Sequence, residues 1–176
     1  MCGRDAALRS TRTLAGMSPW LKRLHLVATI GGGYTGIVVA LIPLSSAHQG
    51  SAAGQLATLI CLAVFVYGLI VGIRLAEGRP SRTLLLCFYG IQIPRLSSPL
   101  IVFGISAGAD LNVGFLGDRL YFNWQIGANF NLSHVSAAPI GLGFNVLAIA
   151  LMATVIAHMP SNNALERERG QQLRKG

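Results

Sequence analysis

Charge is what this sequence has least of. Only 11% of its 176 residues are Asp, Glu, Lys or Arg, against about 25% in an ordinary soluble domain. Acidic side chains are rarest, six against fourteen basic ones. Cysteine is scarce as well: Cys2, Cys61 and Cys87 are an odd set without close spacing, which excludes a disulfide framework and a paired-cysteine zinc site. The signatures of catalysis are missing too. There is no His-Glu-x-x-His, P-loop, Ser-x-x-Lys or Gly-x-Ser-x-Gly. His25, His48, His134 and His158 lie in four separate segments, so no two share a helix turn as metal ligands would. Asp118 reads as turn chemistry and Asp110 as part of a polar strand face, not as paired catalytic carboxylates. Without a nucleophile–base pair or a ligand cluster, the expectation is a protein that is not an enzyme and carries no cofactor.

What the sequence has instead is apolar surface. Hydrophobic residues make up 52% of the chain, and its mean hydropathy is +0.56. The net charge of +8 invites a nucleic-acid reading, but its distribution opposes one. Arg4, Arg9, Arg12, Lys22 and Arg23 precede the first apolar run, while Arg74, Arg79 and Arg82 follow the second. Arg167, Arg169, Arg174 and Lys175 lie in the tail. Basic residues at the edges of apolar runs mark membrane topology, and the aromatic-interleaved groove of a single-strand binder is absent. The expected partner is the lipid bilayer, with no nucleic acid.

The chain divides into a basic cytoplasmic arm (1–23), a transmembrane helix (24–44), a second (55–75), a short interfacial helix (83–94), an amphipathic β-hairpin (100–134), a third transmembrane helix (138–159) and a charged tail (160–176). The predicted fold class is therefore a mainly α membrane protein, with three transmembrane helices plus a long amphipathic β-hairpin. The alternative is four transmembrane helices with a broken third, which places Arg95 near the midplane and the basic tail on the cytoplasmic side. The first run exceeds the core of a typical signal peptide, although Ser45-Ser46-Ala47 offers a cleavage site and Met17 a second start. Asn145, polar within the third apolar run, reads as a helix contact.

The stretch "LVATIGGGYTGIVVALIP" carries glycines that resemble a phosphate loop, yet no Lys or Arg lies among them. At a spacing of four, Ala28, Gly32, Gly36 and Ala40 share one helix face, and Gly68 and Gly72 repeat the pattern in the second run. Small residues so placed let helices approach closely.

Residues 101–132 alternate. Ile101, Phe103, Ile105, Ala107, Ala109, Leu111, Val113 and Phe115 are apolar on odd positions, and Leu120, Phe122, Trp124, Ile126, Ala128, Phe130 and Leu132 on even ones. A two-residue turn at Gly117-Asp118, of the Gly-X kind suited to type II′, reconciles the two parities. It sets Phe115 opposite Leu120, Val113 opposite Phe122, Leu111 opposite Trp124 and Ile105 opposite Phe130. Ile105, Phe115, Phe122, Trp124 and Phe130 then form one apolar assembly face, with Asn112–Asn123 and Asp110–Gln125 on the other. Two strands do not stand alone. That face must meet the helices, the lipid interface or another copy, so a homo-oligomer or a membrane-protein partner is expected. Arg95 is either an arginine at the membrane surface or an anion contact. The second role would make the chain a small transporter or channel component.

The run "FYGIQIPRLSSP" leading to "GADLNVGF" and "YFNWQIGANFNL" resembles small uncharacterised bacterial membrane proteins with a Tyr-x-x-Gln-x-Pro run before glycine- and asparagine-rich strands. The likeness covers residues 88–132. It implies a bacterial inner membrane and brings no activity with it.

Overall fold

The computed structural model describes residues 17–45, 52–133 and 138–159. Most of the basic arm, part of the first connector, residues 134–137 and the tail lie outside the described residues, and with them Cys2, His48 and His134. Four helices and one six-stranded antiparallel sheet are found among the described residues. The helices are α1 (Pro19–Ser45), α2 (Ala52–Ala76), α3 (Arg82–Gln92) and α4 (Val146–His158). The strands are β1 (Pro94–Ser97), β2 (Val102–Ser106), β3 (Ala109–Leu116), β4 (Arg119–Ile126), β5 (Asn129–Ser133) and β6 (Gly141–Asn145).

Helix α1 starts where local chemistry says it should. Ser18 caps it by accepting the Leu21 N–H at 3.2 Å, and Pro19 occupies the first turn. It widens into a π-helical stretch at Val27–Gly31, where Thr29 Oγ1 donates to the His25 carbonyl at 2.7 Å. At about 1.5 Å per residue, α1 and α2 exceed a hydrocarbon layer of about 30 Å. Both are long and apolar enough to cross a membrane, and most of each apolar window is left uncovered by the rest of the chain.

The fold corrects the mainly α, three-span expectation. The apolar run over residues 138–159 is not one helix: it opens as strand β6 and becomes helical only at Val146. The remaining 13-residue helix reaches about 20 Å, short of a bilayer crossing. The cause is visible in "IGLGFN", where Ile140, Leu142 and Phe144 alternate with Gly141, Gly143 and Asn145. Such a stretch suits a strand. Asn145 is accordingly not a mid-span helix contact. It caps α4, its Oδ1 accepting the N–H groups of Leu147 and Ala148, each at 3.1 Å. The broken-third-span alternative fails as well, because Arg95 lies in β1 and residues 102–106 form β2.

The hairpin is present and larger than a free ribbon. Leu116 pairs with Arg119, Phe115 with Leu120, Val113 with Phe122 and Leu111 with Trp124. Across a break at Ala107-Gly108 and Gly127-Ala128, β2 and β5 keep the same register, Ile105 facing Phe130. Gly108 (φ 88°) and Gly127 (φ 112°) sit at this break, joined by an N–H from Gly127 to the Gly108 carbonyl at 2.9 Å. Only glycine takes such φ values without strain, so the ribbon bends here.

The bend has a topological consequence. The strand order is β4-β3-β6-β1-β2-β5, so the β1–β6 pair lies between the two halves of one bent ribbon. β6 pairs with β3 and β1 with β2. The sheet must curl for both halves to meet that pair. Gly32 and Ala28 of α1 press on the bend, since a side chain on Gly32 would strike the backbone of Ala107 and Gly108. Gln92, at the end of α3, secures it by accepting the Ala107 N–H at 2.8 Å.

Candidate functional site: the polar interior of the curled sheet

Alternation gives the curled sheet two unlike surfaces, and on β3 and β6 the polar one is inside, while Asn123 on β4 and Asn131 on β5 stay exposed. On β3, Asp110, Asn112 and Gly114 are buried, whereas Leu111 and Val113 are only partly so and Phe115 is exposed. On β4, Leu120, Phe122, Trp124 and Ile126 are 66–76% exposed. Leu142 and Phe144 of β6 are exposed as well, while Gly143 and Asn145 are buried. In a water-soluble sheet the apolar face is the one covered. Here the order is reversed.

Arg95 projects into this interior from β1. It forms an ion pair and hydrogen bond with Asp110 on β3. Asp110 also accepts from Asn112 Nδ2 at 2.6 Å, so its Oδ2 serves two donors. Glycines make the room. A side chain on Gly104 would strike the Arg95 guanidinium, and one on Gly143 would strike the Tyr121 hydroxyl. A cavity of about 230 Å³ lies beside them, lined by Arg95, Ser97, Gly104, Tyr121 and Asn131 among others. Arg95 Nε, Asp110 Oδ1, Asn112 Oδ1, Ser106 Oγ and Asn145 Nδ2 are buried without a hydrogen-bond partner among the described residues. Buried polar atoms of that kind are ordinarily met by water or a ligand.

A second polar network joins the helices. His25, fully buried, contacts the Tyr89 hydroxyl through Nδ1 at 2.7 Å and Thr154 Oγ1 through Nε2 at 3.0 Å. Thr154 already donates its hydrogen to the Leu151 carbonyl at 2.7 Å. Its oxygen must therefore accept, which puts the proton on Nε2 and leaves Nδ1 to accept from Tyr89. Burial pushes the Tyr89 phenol upward, keeping that donor protonated. The network ties α1, α3 and α4 together.

The residues singled out in the sequence are distributed as follows. Gly36 lies against the Phe65 ring, Gly72 against Thr29 and Ile30, and Ala40 is buried in the core. Gly33, not singled out, meets the backbone of Phe65 and Leu69. Gly68 faces Phe88 of α3, and Ala28 and Gly32 face the sheet rather than a helix. The five residues of the assembly face separate: Ile105 and Phe130 pack with the core, Phe130 edge-on to Phe65, while Phe115, Phe122 and Trp124 stay uncovered. Arg95 pairs with Asp110 and also lines the cavity beside it. A signal for that pair was available, because Arg95 and Asp110 are the only charged residues between Arg82 and Asp118. For His25, Tyr89 and Thr154 nothing in the sequence pointed to one network.

Compared with known proteins, the chain matches no family model, no curated protein and no solved structure.

Proposed function

We propose that this chain is a small, non-enzymatic integral membrane protein that assembles within the bilayer, with the β3–β4 arm as its assembly element. The observation that carries the reading is the reversed order of the β3–β4–β6 part of the sheet, where Phe115, Phe122, Trp124, Leu142 and Phe144 are exposed while Asp110, Asn112 and Asn145 are buried. Leu120, Phe122, Trp124, Ile126, Ile140, Leu142 and Phe144 add their exposed surface to that of Val38, Leu41, Ile42, Leu59, Ile60 and Ile70 on α1 and α2. Soluble monomers rarely leave large apolar surfaces in water, and hydrocarbon is the solvent that suits these. The ion pair explains how a charged arginine fits: Asp110 cancels it inside the curl, away from lipid. Location in a bacterial inner membrane is part of the same proposal.

The cavity beside Arg95 favours a second reading, a transport or channel component that holds a small polar molecule there. Asp110 already neutralises Arg95, so a neutral polar guest suits the cavity better than a free anion.

Trp20 and Trp124 are the two tryptophans, which gives a direct test. With Trp20→Phe in place, the fluorescence of Trp124 is read in vesicles whose acyl chains are brominated. Strong quenching by the brominated chains, with little quenching by aqueous iodide, is expected. The reverse pattern would remove the arm from the bilayer and the proposal with it.

A further inference from the structure

The two ends of the sheet are not alike. Strand β5 lies against α1 and α2, whereas the only extensive contacts of β4 among the described residues are with β3. The turn at Gly117-Asp118 has its positive φ, 59°, at Gly117, as type II′ requires. Its closing bond makes Leu116 and Arg119 a hydrogen-bonded pair, and pairs alternate from there. Tyr121, Asn123 and Gln125 therefore point their backbone N–H and C=O groups at β3. Leu120, Phe122, Trp124 and Ile126 point theirs outward, where no strand lies among the described residues.

An apolar strand with open backbone groups conflicts with both solvents. Water does not suit its side chains, and lipid does not suit its edge, since unpaired backbone groups cost heavily in hydrocarbon. Edges meant to stay open are blunted with charges, proline or bulges. Residues 120–126 hold no charge and no proline. We infer that this edge pairs, antiparallel and about a two-fold axis, with β4 of a second copy of the chain. The inference rests on the membrane reading above.

Parity selects the register. Even positions must face even ones, or apolar side chains would land among polar ones. With Asn123 opposite Asn123 of the second copy, Phe122 faces Trp124 and Leu120 faces Ile126. All four outward-pointing residues of each strand are then hydrogen-bonded pairs, giving about eight bonds. The neighbouring parity-preserving registers, centred on Phe122 or on Trp124, each give about six. Arg119 falls outside the favoured overlap, so no like charges meet. Asn123 becomes a non-hydrogen-bonded pair, the closer kind, with Cα atoms about 4.5 Å apart and within reach of a disulfide.

The test uses the full chain in native membranes, with Cys2, Cys61 and Cys87 replaced by serine or alanine. Asn123→Cys should crosslink to a dimer on mild oxidation far more efficiently than Phe122→Cys or Trp124→Cys. Phe122→Pro removes only an outward N–H and should abolish the crosslink when combined with Asn123→Cys, while Phe122→Ala should keep it. A protein that resists alkaline extraction from membranes yet gives no Asn123 crosslink would overturn the inference and leave the membrane reading intact. Crosslinking to a different polypeptide, or a crosslink that survives Phe122→Pro, would overturn it equally. Release by alkaline extraction would instead defeat the membrane reading itself.

Discussion

One ribbon meets two fates. Its β2–β5 half lays Ile105 and Phe130 against the helices, around Phe65, and is covered. Its β3–β4 half has the same alternation and the same register, yet Phe115, Phe122 and Trp124 stay bare. What separates the halves is the bend at Gly108 and Gly127, which α1 and Gln92 hold in place. Alternation decides which side chains share a face. Only the packing of the whole chain decides what that face meets.

The sharpest way to break the comparison is to put a charge on each half. Ile105 is 2% exposed and sits in the apolar core, so Ile105→Asp is expected to cost more than about 4 kcal/mol. Limited proteolysis of the membrane fraction would show it as loss of the folded protein. Phe115→Asp, beside the turn on the bare half, should leave a folded chain. If both collapse alike, the halves are not differently covered.

The interior comes next. Arg95→Met leaves Asp110 charged and unpaired behind the β1–β6 pair, and breaking a buried pair in this way costs about 3–5 kcal/mol. Adding Asp110→Leu removes the orphaned charge and should restore part of the loss. A double-mutant cycle read by unfolding in mixed micelles would measure this. Additive losses would mean that the two residues do not act as a pair.

A smaller effect is expected at the joint between sheet and helix. Asn145→Ala removes the oxygen that accepts from Leu147 and Ala148, a loss of about 0.5–2 kcal/mol. Hydrogen exchange should speed up in the first turn of α4 and stay unchanged in α2. Uniform acceleration would argue against a local cap.

Legibility in the sequence follows the same division. The hairpin register was readable because the change from odd to even apolar positions admits one turn, and a slip by one residue would invert every side chain. The apolar runs of α1 and α2 were readable from length and composition. Over residues 138–159 hydropathy predicts a single helix because it averages over "IGLGFN" and hides its period of two. The sheet order was not readable at all. It depends on β1 and β6 meeting between the halves of a bent ribbon, a pairing of segments far apart in the chain. Arg95 and Asp110 each stand out in the sequence, but only that topology joins them.

The smallest expected effect is the most discriminating for the bare half. Trp124 is 66% exposed, so Trp124→Ala deletes a large side chain without opening a cavity in its own chain. Surface changes of that kind usually stay within about 0.5 kcal/mol. Phe65, fully buried on α2 against Phe130, sets the contrast: Phe65→Ala should cost about 3–5 kcal/mol. Both are read by unfolding in mixed micelles at a protein concentration low enough to keep the chain monomeric. A near-silent Trp124→Ala beside a costly Phe65→Ala is what a ribbon with one covered and one bare half requires. A loss above about 2 kcal/mol at Trp124 would mean that this face packs inside the monomer, since detergent alone cannot supply a partner that fits one indole and rejects a methyl group. The edge pairing through β4 is untouched by either outcome, because it runs through backbone groups that Trp124→Ala leaves in place.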